Sequence, residues 1–282
     1  MHFSRRDFIR LGGAGVAAVG APTLLAREFT GTAESNGGGA SFDLGIASYT
    51  FQKFDLDYTI AMTKRLGIRK LCLKSFHLPL ELSPEEIKSA VAKVTEAGID
   101  LYGGGVIYMK TVEEVDWAFS YAGYAGMEII VGVPEHDLLE YCNGKVKQTG
   151  IRLAIHNHGP GDEKYPTPES AYKLIRNMDP GMGLCVDIGH VLRYGEDPIA
   201  QTAEFIDRVH DIHIKDEDKA DPAGNPCEIG RGVIDIPGFL EMLLKKKYSN
   251  VISFEYEKDP DDPMAGLAES VGYVRGILKM LA

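Results

Sequence analysis

Three features predict a single (β/α)8 TIM barrel preceded by an export signal. After residue 42, eight short apolar runs alternate with amphipathic stretches. No obvious linker interrupts the eight units, and ionisable residues gather at the ends of the later runs, where such barrels do their chemistry. The chain has 282 residues, 44% hydrophobic and 25% charged, which suits one barrel of about 250 residues.

Apolar runs bounded by turns read as buried parallel strands, here at 43–49, 69–74, 100–106, 128–133, 151–156, 182–187, 209–214 and 251–256. Between and after them the spacing predicts helices near 56–66, 84–97, 111–124, 137–149, 168–177, 197–207, 236–247 and 264–280. Ser83-Pro84-Glu85-Glu86 combines a cap, a first-turn proline and early carboxylates, and Thr167-Pro168-Glu169 repeats the device. Gly67, Gly98 and Gly150 each stand just past a helix, where a left-handed residue is wanted. No G-x-G-x-x-G follows a strand, so a dinucleotide site is not indicated, and Gly103-Gly104-Gly105 is given no phosphate role.

Residues 1–26 read as an address label. Ser4, Arg5, Arg6 and Phe8, followed by the apolar run Leu11 to Ala26, resemble a twin-arginine signal, implying the twin-arginine export machinery as a partner and a periplasmic or otherwise exported product. The run is shorter than the roughly 20 apolar residues of a bilayer span, so no stable membrane span is expected. Residues 27–42, rich in Gly, Ser and Thr, are expected to form a flexible linker to a barrel at 43–282. Loss of Arg5, Arg6, Arg10 and Asp7 with the signal leaves 27 basic and 40 acidic residues, a net charge of −13. That balance argues against a nucleic-acid partner, and Lys245, Lys246 and Lys247 read as a solvated surface. Cys72, Cys142, Cys185 and Cys227 form no C-x-x-C pair, and Cys72 and Cys185 read as core residues.

The polar residues fall in a pattern. Strand 5 ends in His156-Asn157-His158, with period two putting both histidines on one side. Strand 6 ends in Asp187-Ile188-Gly189-His190, strand 7 carries His213, Lys215 and Asp216, and strand 8 ends in Glu255 and Glu257. Strand 4 adds Glu135 and His136, and strand 2 adds Lys74. A lone histidine at a strand end is usually just hydrogen-bonded, but four consecutive strands delivering His, Asp or Glu point to a divalent cation that offsets their burial. Mixed imidazole and carboxylate ligands suit Mn, Zn, Fe or Co.

At these residues the chain resembles the xylose-isomerase-like barrel superfamily, which includes sugar epimerases, inosose-processing enzymes and endonuclease IV. The likeness covers nearly everything after residue 42. Its most specific pieces are Gly183 to His190, Asp211 to Asp216, Gly230-Arg231-Gly232 and the Glu255 strand. The resemblance implies metal ligation by Asp187, His213 and Glu255, with His156 where the epimerases carry a strand 5 glutamate. It also implies that Glu255 is catalytic and that His190 and Arg231 contact substrate hydroxyls. Since the strand 5 and strand 8 glutamates are the epimerases' acid–base pair, His156 leaves the second base open among Glu135, His158, Lys74 and Lys215.

The leading expectation is a metal-dependent sugar isomerase or epimerase that abstracts a proton next to a carbonyl, with one metal stabilising an enediolate. Loss of a neighbouring leaving group would make the same site a 3-keto-glycoside lyase, and export favours that alternative on unphosphorylated sugars. A non-catalytic sugar-binding barrel is a further reading. DNA repair is disfavoured by the acidic charge and by only eight histidines, one of them His2 in the signal. Tyr49, Phe51 and Tyr108 near strand ends are candidates to stack on a sugar ring.

Overall fold

The computed structural model describes residues 41–282, so the expected signal and the linker as far as residue 40 lie outside the described residues. The last two linker positions are already packed on the barrel. Phe42 is buried against the Tyr248 ring, and Ser41 Oγ donates to the Tyr248 carbonyl.

All eight strands form: β1 Asp43–Ala47, β2 Lys70–Leu73, β3 Asp100–Met109, β4 Ile129–Pro134, β5 Arg152–His156, β6 Met182–Asp187, β7 Val209–Ile214 and β8 Val251–Phe254. They close into one parallel barrel in the order β1-β8-β7-β6-β5-β4-β3-β2. Strands β4, β6 and β7 are buried along their whole length, because helices cover the outside and side chains fill the inside. This double burial is why the strands read as continuous apolar runs rather than alternating ones. Strand β3 runs past the expected residue 106 to Met109, pairing with β4 across a register shift.

The helices are α1 Leu56–Arg65, α2 Pro84–Glu96, α3 Val112–Ala125, α4 Leu139–Thr149, α5 Pro168–Ile175, α6 Ile188–Arg193, α7 Pro198–Glu204, α8 Ile236–Lys245 and α9 Met264–Leu281. The capping signals act as their sequences suggest. Ser83 and Glu86 bond reciprocally at the start of α2, and Thr167 accepts from Ser170 N at the start of α5. Gly67, Gly98 and Gly150 all have φ between 65° and 78°.

Two elements were not expected. Helix α6 follows β6 at once, with the Asp187 carboxylate accepting from His190 N at 2.9 Å as its cap. A small antiparallel hairpin, Asp216–Glu217 with Pro226–Cys227, stands on the loop after β7. The helix expected over 197–207 ends at Glu204, and a short 3-10 turn over Ile206–Arg208 leads into β7. The cysteines are all free. No helix among the described residues is long and apolar enough to cross a membrane.

One core contact makes stability depend on pH. The His210 ring lies so close to the β6 backbone that a Cβ on Gly183 would sit 2.2 Å from Cδ2. Burial pushes the His210 imidazole down to about 4, with the Arg152 and Arg208 charges acting the same way, against the pull of its bond to the Pro180 carbonyl. The folded value lies below the unfolded 6.5, so this contribution is full above pH 6.5 and is lost as pH falls toward 4. The 2.5-unit gap corresponds to about 3 kcal/mol. Urea unfolding at pH 7 and pH 4.5 should show a loss of about 2 to 3 kcal/mol in the wild type that His210→Gln lacks. Equal losses in both proteins would refute the assignment.

Candidate active site and metal centre

The strand ends bring together His156, Asp187, His213 and Glu255, each offering a ligand atom within 4.8 Å of the others. Their convergence follows from register: Asp187 and His213 are direct partners on β6 and β7, while His156 ends β5 and Glu255 follows β8. All four are buried. The Nδ1 of His213 is 3.3 Å from Glu255 Oε2 and 4.0 Å from Asp187 Oδ2.

Lys215 reaches the same centre. Its ammonium lies 2.9 Å from Asp187 Oδ2, 2.8 Å from Glu255 Oε2 and 2.7 Å from Glu257 Oε1. Burial alone would lower its pKa, but these carboxylates outweigh burial and raise it well above the usual lysine value. These contacts favour the ammonium form of Lys215. Burial would likewise raise the Glu255 carboxyl, yet Lys215 and His213 hold it well below the usual range. Asp187 goes the other way, raised by burial and by the Glu255 charge against the pull of Lys215. Burial opposes the charging of His213, but Glu255, Asp211 and Asp187 carry it up to about 8.

The four residues fit a divalent transition metal. His156 Nδ1 and both ring nitrogens of His213 are buried without a hydrogen-bond partner among the described residues. Asp187 Oδ2 meets the Lys215 ammonium without the direction of a hydrogen bond. Two imidazoles and two carboxylates on four successive strands are also the donor set such an ion favours. Two carboxylates sharing one lysine with Glu257 leave negative charge for a cation to offset.

Beneath the cluster the sequence reading missed Asp211. Its fully buried carboxylate accepts from Tyr102 Oη at 3.1 Å and Ile212 N at 2.9 Å, and it stands 3.8 Å from His213 Nε2. Burial raises this carboxyl to about 6 despite the opposing influence of His213 and Tyr102. Asp211 is placed to orient His213, as carboxylates commonly do for ligating imidazoles. The signal was available: in a strand, D-x-H puts both side chains on one face.

The remaining candidates divide. The His158 ring lies 4.5 Å from that of His156, its Nε2 is 3.1 Å from Tyr108 Oη, and its Nδ1 is 3.5 Å from Asp162 Oδ2. Burial lowers its pKa more than Asp162 raises it, favouring the neutral ring. His190 joins the cluster with Nε2 3.8 Å from Asp187 Oδ2. Lys74 lies 5.7 Å from the centre of the Tyr49 ring, its pKa lowered by burial and pulled up by Glu255. Glu135 instead pairs with Lys164. Arg231 forms a bidentate pair with Glu269 on α9 at 2.6 and 2.7 Å on the exposed surface. Phe51 is core and offers no face to a ligand, whereas Tyr108 is exposed at the mouth.

A cavity of about 430 Å³ is lined by Leu80, Glu81, Ile107, Tyr108, Glu113, Glu114, Trp117 and Ala118. None of the four clustered residues lines it; the link is Tyr108, which lines the cavity and bonds His158 through its hydroxyl.

Comparison with known proteins agrees with this geometry. Residues 136–277 match the family model described as xylose isomerase-like TIM barrel. The inosose dehydratase of Mesomycoplasma hyopneumoniae (strain 7448) is 29% identical over 152 residues, covering 47% of this chain and 50% of that protein. The chain thus spans about half the length of the curated relatives it matches. A solved structure of an uncharacterized protein from Parabacteroides distasonis ATCC 8503 is 27% identical, with a TM-score of 0.67 over 84% of this chain and 99% of that one. The IOLI protein, solved with a binding zinc atom, has a TM-score of 0.69 over 86% of this chain and 99% of its own; at 15% identity it speaks to the fold alone.

Proposed function

Because this chain belongs to the xylose isomerase-like TIM barrel family, we propose that it is a metal-dependent carbon–oxygen lyase acting on a sugar or cyclitol ketone, 3-keto-glycosides included. The observation that carries this reading is His158 standing ring to ring with His156 at the edge of the His156, Asp187, His213 and Glu255 centre. It supplies one proton acceptor beside the place where a carbonyl oxygen would be stabilised. The similarity to inosose dehydratase over part of the chain supports elimination as the outcome.

A divalent cation held by His156, Asp187, His213 and Glu255 would supply Lewis-acid stabilisation of negative charge on the substrate carbonyl oxygen. The remaining work falls to side chains. His158, with Nδ1 toward Asp162 and Nε2 toward Tyr108 Oη and the mouth, takes the proton from the carbon next to the carbonyl through Nε2. The electron pair of that C–H bond forms a C=C bond as the neighbouring C–O bond breaks. Lys74, a cation at the end of β2, gives its proton to the departing oxygen. The products are an unsaturated ketone and an alcohol or water, so atoms and charge balance. The Lys215 ammonium offsets the carboxylates it contacts.

Isomerisation or epimerisation is the second reading. What favours it is Lys74 just after β2 with His158 beyond β5, since two proton carriers on different sides of the mouth could serve opposite faces of one carbon. As part of the same proposal, the address label at residues 1–26 makes this an exported enzyme working on unphosphorylated sugars.

Incubation of metal-loaded protein with 3-keto-glycosides and keto-cyclitols in D2O separates the readings. Elimination gives a conjugated ketone, seen by its absorbance. Deuterium with inverted configuration and no lost group would mean epimerisation. Return of every substrate unchanged would refute both. His158→Gln should lower turnover by about a hundredfold or more at unchanged metal content; wild-type turnover in that variant would remove His158 from the mechanism.

A further inference from the structure

The cavity beside the metal centre has no part in the chemistry above. It sits on the catalytic face, because Leu80 and Glu81 lie in the loop between β2 and α2, Tyr108 is near the end of β3, and Glu113, Glu114, Trp117 and Ala118 are in the first two turns of α3. Its inner walls offer almost nothing polar. Trp117 Nε1 already donates to the Leu80 carbonyl, and Tyr108 Oη is engaged with His158, so the polar atoms of both aromatics are already partnered. Leu80, Ile107 and Ala118 complete an apolar slot, and three carboxylates stand at its margin.

This combination selects an occupant. A pyranose buried here would leave hydroxyls facing apolar walls, which is costly. A phosphate or carboxylate would meet Glu81, Glu113 and Glu114. A flat, neutral aromatic group gains stacking on Trp117 and Tyr108, and any phenolic hydroxyl it carries can donate to the margin. The volume of about 430 Å³ is in the range of small-molecule sites.

We infer that this cavity is a leaving-group subsite for the neutral aromatic aglycone of a keto-glycoside, with Tyr108 as the wall shared between aglycone and reacting sugar. The inference rests on the glycoside reading of the proposed function. The position of Lys74 agrees with it, since β2, which Lys74 follows, is the strand whose next loop supplies Leu80 and Glu81. The proton for the departing oxygen and the slot for the departing group then lie on the same side of the mouth.

The chain contains one tryptophan, so its fluorescence reports this cavity directly. Metal-loaded protein is titrated with phenyl β-D-glucopyranoside, methyl β-D-glucopyranoside and phenyl phosphate. Phenyl glucoside is expected to give a saturable change in Trp117 emission with a Kd near about 1 mM or below, and the other two to bind at least about tenfold more weakly. Ala118→Phe, which fills the slot from α3, should abolish the change, as should Leu80→Trp read by calorimetry, which fills it from the loop and guards against a packing defect in α3. No saturable change with phenyl glucoside, or equal changes with methyl glucoside or phenyl phosphate, would overturn the subsite. Turnover is read in parallel on phenyl and methyl 3-keto-glucosides. A preference of about tenfold or more in kcat/KM for the phenyl compound, lost in Ala118→Phe while the methyl compound is turned over as before, supports the subsite. Equal turnover of the two overturns the subsite and leaves the lyase reading standing. Specific phenyl binding with neither ketone converted overturns the glycoside reading and the leaving-group role with it, and leaves the cavity as an aromatic-binding site alone.

Discussion

Asp187→Ala is expected to strip the centre of its metal and to lower turnover by about a thousandfold or more, equivalent to ~4 kcal/mol of transition-state stabilisation. Asp187 is fully buried, its Oδ2 lies close to both His213 and Lys215, and its strand register sets it directly against His213. Removing it leaves one carboxylate, Glu255, among the four ligands, and that carboxylate already answers to Lys215 and His213. The residue also caps α6 through His190 N, so loss of activity in the alanine variant alone would be ambiguous. Asp187→Asn removes the charge and keeps an oxygen for the cap. Elemental analysis beside kcat reads the result. Both variants should lose metal, with folding retained in the asparagine form. Wild-type metal content in Asp187→Asn would mean that the cluster is not the metal centre and would sink the lyase mechanism with it.

How far the sequence announced this site depends on the kind of signal each residue carries. The strands were legible because a parallel barrel buries them on both faces, so their composition shows it without any partner being known. His156, Asp187, His213 and Glu255 were legible because ionisable groups at the ends of consecutive apolar runs have few structural explanations. Helix α6 was hidden by Gly189, which reads as a break. In the fold a Cβ there would lie 2.5 Å from Lys215 Cγ, so the glycine is present to let that lysine stem pass. The state of Lys215 was equally out of reach, since it depends on Asp187, Glu255 and Glu257 converging on one ammonium from separate parts of the chain. The partner of Arg231 was hidden for a related reason: Glu269 stands 38 residues further along the chain.

Asp216 shows what the Gly230-Arg231-Gly232 segment does instead. Its buried carboxylate accepts four backbone N–H groups: Gly230 at 2.9 Å and Gly232 at 3.0 Å on Oδ2, and Glu217 at 3.0 Å and Ile234 at 3.2 Å on Oδ1. Gly230 adopts φ 93°, and a Cβ on Gly232 would come 2.1 Å from Asp216 Oδ1, so both glycines let the loop wrap around the carboxylate. The motif is a lock on the loop between β7 and α8, and through it on the strand end that presents His213 and Lys215. Asp216→Ala leaves those N–H groups unpaired in a buried place; charged-acceptor bonds of this kind are worth about 1.5 to 3 kcal/mol each, and water entering the gap recovers part of the loss. A destabilisation of about 3 to 5 kcal/mol is expected, lowering Tm by roughly 10 °C for a domain of this size. Asp216→Asn, which keeps both the shape and one carbonyl acceptor, should lose about half as much. Thermal unfolding followed by circular dichroism distinguishes the outcomes. A Tm within about 2 °C of wild type in Asp216→Ala would show that the hairpin and α8 hold this loop without the carboxylate.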